Sequence, residues 1–298
     1  MRWMLWVSFA ALCILSGTSW VIPYDVSEGL PRLEQQSLFF GVIGAIALFV
    51  VGRAVWLRIG SLQWARLAAA GVAFFGVPVV VAEYVRGSVP AISRSALFAM
   101  VPVVVVLAVS ASDVTGREER GAMRFLVPAL AGLGGLLLLL PLEFSGSVRG
   151  RVMLVVVCAA VVLVGLASVW LYQTLGGFSF ATAVAVVGLA NAVFLLLWSV
   201  IHEAIVWRWS GLASMVSISS LVDAVEVLLM VWLLREMAPV RFAARYLMIP
   251  LLTILESYVL MRPEWTVRMG SGTALLAIGA GTLLFLKAGE EETVLSLR

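Results

Sequence analysis

The chain is short of charge. Only 12% of its 298 residues are Asp, Glu, Lys or Arg, while 62% are hydrophobic and the mean hydropathy is +1.09. That is roughly half the charged share of an ordinary soluble domain, about 25%, and it excludes a water-soluble globule of this length. Lysine is nearly absent: Lys287 stands against 19 arginines. This bias points to a GC-rich bacterial genome and carries nothing about mechanism. The net charge of +3 is scattered over the connectors without a basic run, so nucleic acid is not an expected partner.

Other absences narrow the chemistry. There is one histidine, His202, and there are two cysteines, Cys13 and Cys158, both within apolar runs. No metal spacing or disulfide framework results, and the cysteines read as buried thiols. No G-x-x-x-x-G-K-[ST] occurs, which excludes an ATP-driven pump within this chain. Position suggests no Ser/His/Asp set, and no polar connector is long enough for a soluble active site. The expectation is therefore a protein without catalytic residues, metal or cofactor.

What the chain has is apolar runs of about 20 residues, the length a helix needs to cross about 30 Å of hydrocarbon. Ten predicted spans cover approximately 3–22, 37–57, 65–85, 92–110, 124–142, 151–172, 181–203, 212–234, 240–260 and 268–287. The stretch Met1 to Leu15 has only Arg2 as a positive flank. Ser16-Gly-Thr-Ser-Trp20 is no small-residue cleavage site, so the run reads as a retained first span. Trp3, Trp20, Trp56, Trp64, Trp207, Trp209 and Trp265 fall near span ends, as an interfacial belt requires. With both termini inside, the cytoplasmic connectors collect 12 Lys/Arg, Arg235, Arg241 and Arg245 among them, against 8 outside. The connector bearing Asp25, Glu28, Arg32 and Glu34 then lies outside. The expected location is the bacterial inner membrane.

The halves resemble each other. Arg86-x3-Pro90-x11-Pro102 is echoed by Arg235-x3-Pro239-x10-Pro250 at an offset of 149, and Gly132 and Gly134 by Gly279 and Gly281 at 147. The offset maps spans 3, 4 and 5 onto 8, 9 and 10. Five spans per half is odd, so the halves, 1–145 and 146–298, must have opposite orientation. Inverted repeats of this kind are common in secondary transporters. The glycines of Gly132-Leu-Gly-Gly135 and Gly279-Ala-Gly281 are expected to permit close helix packing.

Over nearly its whole length the chain resembles the drug/metabolite transporter superfamily, EamA type. Ser16-Gly-Thr-Ser-Trp20 is similar to that family's first-helix signature, and the segment Val89 to Val103 to its entry into the fourth helix. Tyr246-Leu-Met-Ile-Pro-Leu-Leu-Thr253, Arg262-Pro-Glu264 and Gly270 to Gly281 resemble its ninth and tenth helices. The resemblance implies ten helices in two inverted five-helix repeats around a central cavity, and movement of small metabolites, often outward. Glu264 matches the acid that follows the family's ninth helix. The first half offers only Glu118, a few residues late. Glu34-Gln-Gln36 stands where many members carry an Arg, and Glu256 where a small residue is frequent.

Polar residues within the spans single out candidate positions. A carboxylate at the centre of a membrane helix costs about 2.5–3.5 kcal/mol on insertion scales. The eighth span nevertheless holds Asp223 and Glu226, which share one helical face with Ser219 and Ser220. Asn191, Trp198 and His202 share a face of the seventh span, and Thr253 and Glu256 lie at i, i+3 on the ninth. With Thr18 of the first span, flanked by Ser16 and Ser19, these form the expected substrate or ion site. It lies mainly in the C-terminal half. A carboxyl group there can take up and release a proton as its access to water changes.

The resulting expectation is a transporter of a small molecule by alternating access, with protons as a candidate coupling ion. Two other classes stay open. A non-transporting scaffold or assembly subunit would bury Asp223 and Glu226 against a partner helix. A membrane-embedded lipid-modifying enzyme would need an acid pair at an interface and longer polar connectors. The sequence assigns no oligomeric state.

Overall fold

A computed structural model describes residues 2–18, 31–51, 60–112, 122–140, 146–202, 218–262 and 266–286. Among these residues the secondary structure is helical throughout, without strands. Eight helices are long and apolar enough to cross a membrane: α2 (Arg32–Val51), α3 (Ser61–Tyr84), α4 (Ala91–Ala111), α5 (Ala122–Leu139), α6 (Val148–Leu175), α7 (Phe180–His202), α9 (Pro239–Met261) and α10 (Val267–Phe285). Two more complete the described helices. Helix α1 (Arg2–Thr18) is apolar but only 17 residues long. Helix α8 (Ile218–Glu236) has the length, yet carries Asp223, Glu226, Arg235 and Glu236.

The outward faces of the apolar helices are themselves apolar. Phe49 is 92% exposed, Ile201 72% and Val127 72%, within helices that present few charges. In water such surface would drive aggregation; in lipid it is the required solvent contact. The chain is a multi-pass membrane protein.

The second helix begins earlier than expected. Its predicted start is residue 37, but α2 begins at Arg32 directly after Pro31, whose carbonyl accepts from Gln35 N–H at 3.0 Å. Pro preorganises the first turn at no hydrogen-bond cost, since N-terminal donors have no intrahelical partner. Glu34, expected in an outer connector, is instead in the first turn and only 2% exposed. An acid there faces the positive end of the helix dipole.

The described chain forms two compact units. One comprises Met1–Arg86 and Trp170–Met237, the other Gly87–Val169 and Ala238–Arg298. Each unit therefore draws on both sequence halves. In the first unit the most extensive packing joins α2 to α7, with α3 also against α7 and α1 against α8. Gly44 and Gly188 make the approach: a Cβ on Gly188 would lie 2.8 Å from Gly44 Cα. The helices run antiparallel, since Ser37 Oγ donates to Ala192 O at 2.7 Å while Gly44, seven residues on, meets Gly188 and Leu189. In the second unit the dominant pair is α5 with α10, and α9 and α4 pack around it. Gly279 lies on Gly132, and Gly135 on Gly272 and Leu276. Gly134 and Gly281 face open space, so only some of the glycines expected to mediate packing do so.

Proline shapes three of the helices. Helix α4 breaks at Ala99 and Met100, where Met100 N–H turns to Leu97 O; Pro102, just beyond, can supply no donor to the preceding turn. Helix α9 breaks at Ala244, between the short segment Pro239–Ala243 and Arg245–Met261, while Pro250 remains inside the latter. The corresponding spans of the two halves thus both open with a short segment behind a proline, Pro90 or Pro239. Helix α3 widens over Val72–Gly76, where Val77 N–H reaches back five residues to Val72 O, and Pro78 follows at once.

Candidate binding residues within the helices

In the first compact unit the polar face of α7 survives as a continuous stripe. Asn191 is fully buried, Trp198 half-buried and His202 exposed. The helical spacing adds Phe194 to them. Its ring lies 6.2 Å from Trp198, and the His202 ring stacks on Trp198 at 4.6 Å with 2° between planes. His202 Nδ1 is also 3.3 Å from Trp198 O, which holds the imidazole over the indole. The stripe offers flat π-faces at one end and an amide at the other.

Asn191 sits where three helices meet. Its Nδ2 donates to Val187 O, one turn back on α7, at 2.8 Å. That bond turns Oδ1 toward α3, where a Cβ on Gly76 would fall 2.6 Å from it. No protein donor reaches Oδ1 among the described residues. Phe40 of α2 packs edge-on against Phe75 of α3 at 6.1 Å and closes the same region.

Helix α8 packs against both α7 and α1. It carries Asp223, Glu226 and Ser220, each half-buried. Ser219 lies in its first turn. Helix α1, which carries Ser16 and Thr18, is thus a neighbour of α8. Thr18 donates its hydroxyl to Ile14 O at 2.8 Å, one turn back in its own helix. Ser19 is outside the described residues, as are Glu118 and Glu264.

The second compact unit holds the remaining candidates, Thr253 and Glu256 of α9. Both are half-buried, and Thr253 donates to Ile249 O at 3.1 Å. In an apolar helix this back-bond satisfies the hydroxyl proton locally. Candidates expected to share one site therefore divide between the two units.

Sequence reasoning missed Arg245. Counted there among connector charges, it is only 4% exposed. Its guanidinium lies 4.4 Å from the Phe242 ring centroid and 4.6 Å from that of Tyr246, and Nη2 donates to Tyr246 Oη at 2.8 Å. Tyr246 in turn stacks on Phe98 of α4 at 6.3 Å. The available signal was an Arg inside an apolar span flanked by aromatics at −3 and +1. The break at Ala244 gives this pattern its meaning, by turning Arg245 inward at the start of a new helical segment.

No family model and no curated protein matches the sequence. Among solved structures, one crystal structure superposes on 96% of this chain and 98% of its own, with a TM-score of 0.70 at 19% identity. The chain shares that protein's fold.

Proposed function

We propose that the protein is a ten-span secondary transporter of the drug/metabolite, EamA type, which moves a small metabolite across the bacterial inner membrane by alternating access. The observation that carries this reading is the pairing of repeat mates. The tight crossings join Gly44 to Gly188 and Gly132 to Gly279, 144 and 147 positions apart, close to the offset between the sequence halves. Antiparallel contact between equivalent helices is what two inverted repeats produce about an in-plane two-fold axis. Under this reading α1 and α8 are also spans, and α8 is tolerated in lipid because its acids face inward.

Two features support substrate handling over a purely structural role. Polar groups are concentrated on α7 and α8, which pack together, while α2 to α6 are almost wholly apolar away from their ends. Asp223 and Glu226 are the proposed recognition or coupling acids. Asn191, Trp198 and His202 supply an amide and flat rings, surfaces suited to a substrate with both a polar group and an apolar or aromatic portion.

The test is substrate-driven flux in purified, reconstituted protein. A panel of amino acids, nucleosides and organic cations is offered to wild type and Asp223→Asn. Flux in wild type that the Asn variant loses supports the reading and assigns Asp223 to it. Flux retained by the variant keeps the transporter and removes Asp223 from the mechanism. Absence of flux across the panel, electroneutral exchange included, moves weight to the scaffold reading.

A further inference from the structure

Helices α4 and α9 are broken at matching places. In α4 the Met100 N–H goes to Leu97 O at 3.0 Å, and in α9 the Ala244 N–H goes to Arg241 O at 3.2 Å. Both bonds span three residues, a tightening that recurs at hinges within helices. Pro102 and Pro250 follow, each four residues after an aromatic, Phe98 or Tyr246.

The two breaks meet. The Phe98 ring stacks on Tyr246, with centroids 6.3 Å apart and 22° between planes. The segment Pro239–Ala243, before the break of α9, packs against Val101–Ala111, after the break of α4. Each helix lays its first part on the other's second part, so the two cross antiparallel at the stack. Tyr246 is itself held in place: Arg245 Nη2 donates to its Oη at 2.8 Å, and the guanidinium lies over its ring.

Phe98 and Tyr246 are 148 positions apart, the same spacing as Pro102 and Pro250. They occupy the same place in the two sequence halves, and a residue that touches its own repeat mate lies on the axis relating the repeats. Suppose the two inverted repeats exchange conformations as one rocks against the other. The pair 98 and 246 then maps onto itself, so its separation is equal in both states. A pair away from the axis maps onto a different pair. Ile92 with Leu255, at one end of the crossing, maps onto Val240 with Leu107 at the other, and these two separations trade.

We propose that the Phe98–Tyr246 stack is the pivot at which α4 and α9 bend, closing one end of the crossing as the other opens. This rests on the inverted-repeat transport reading.

The experiment measures distances between pairs of nitroxide labels by electron spin resonance, in the full chain in lipid nanodiscs. The labels ride on a genetically encoded keto amino acid, which leaves Cys13 and Cys158 in place. One pair replaces Met100 and Met248, beside the stack and again 148 apart. The end pairs are Ile92 with Leu255 and Arg241 with Leu107, Arg241 standing in for the buried Val240. The central pair is expected to show one narrow distance, and each end pair two. In Phe98→Ala, or Phe98→Leu should alanine fail to fold, the central distance broadens to the width of the end pairs. If labels at Met100 and Met248 prevent folding, Val104 and Leu252 take their place. A central pair as broad as the ends, ends as narrow as the centre, or a central distance unchanged by loss of the Phe98 ring each overturns the proposal. Paired end distances without flux of any substrate would sink the transport reading alone, and flux with rigid ends would sink this one alone.

Discussion

Gly279 of α10 rests directly on Gly132 of α5: a Cβ on Gly279 would fall 2.5 Å from both the N and the Cα of Gly132. The obstacle is backbone, which cannot rotate away. Gly279→Ala is therefore expected to lower stability by about 1–3 kcal/mol, the usual cost of overpacking. Gly281, two residues on, has nothing within 4 Å of its would-be Cβ. Gly281→Ala should be neutral or gain up to about 1 kcal/mol from helix propensity. Paired unfolding curves in one detergent check the contrast.

The first compact unit should behave in parallel. A Cβ on Gly188 would lie 2.8 Å from Gly44 Cα, whereas one on Gly41 would meet only Ala192 Cβ at 3.6 Å, an ordinary contact. Gly188→Ala is expected to destabilise by about 1–3 kcal/mol and Gly41→Ala to be tolerated. Protease resistance across a temperature series distinguishes them. Equal sensitivity at both positions would mean that α2 and α7 do not cross at Gly44.

Arg245 is held by its planar shape as well as its charge. Phe242 and Tyr246 lie against the guanidinium, and Tyr246 Oη accepts from Nη2. Lysine keeps the charge but not the flat, forked head. Arg245→Lys is expected to lose roughly 0.5–2 kcal/mol, the range of a desolvated cation–π contact. A melting temperature unchanged by this substitution would show that charge alone suffices.

Hydroxyls separate by where their protons go. Ser37 Oγ bridges α2 to Ala192 O on α7 at 2.7 Å. Thr253 and Thr18 bond one turn back within their own helices. Ser37→Ala is expected to cost about 0.6–1.7 kcal/mol, as interhelical hydrogen bonds in membranes do. Thr253→Val and Thr18→Val should stay within about 0.5 kcal/mol of wild type. Urea or heat titrations of the three variants side by side give the comparison.

Much of the fold was legible because lipid imposes a coarse rule. Every backbone group must be bonded internally, so apolar runs of span length become helices. Expected and observed helices agree closely for α3 to α7, α9 and α10, while α8 is described only from Ile218, six residues after its expected start. The start of α2 was misread for a physical reason: Glu34 looks like a connector residue by charge. However, Pro31 starts a helix there, and tertiary packing buries the carboxyl group. Arg245 was misread likewise, since an arginine near a span end reads as an orientation signal until the break at Ala244 turns it inward.

The candidate site was legible only in part. The stripe of Asn191, Trp198 and His202 follows from helical periodicity, and the structure keeps it together and adds Phe194. The wide turn of α3 does not follow. Pro78 marks a disturbance, but a proline can kink, break or widen a helix, and the choice depends on what lies across from it. Here Gly76 admits Asn191 from another helix.

Composition and run length by themselves determined that this chain lives in a membrane as a helical bundle, because hydrocarbon tolerates little else. Periodicity determined which residues share a helical face. Only the tertiary structure decided which glycines meet a neighbour and which face open space, since identical residues two positions apart differ solely in what stands opposite. It alone decided that Glu34 and Arg245 are buried and that Thr253 and Asn191 fall in different compact units. Burial, close approach and unmatched acceptors are properties of pairs of helices, and a single helix does not encode them.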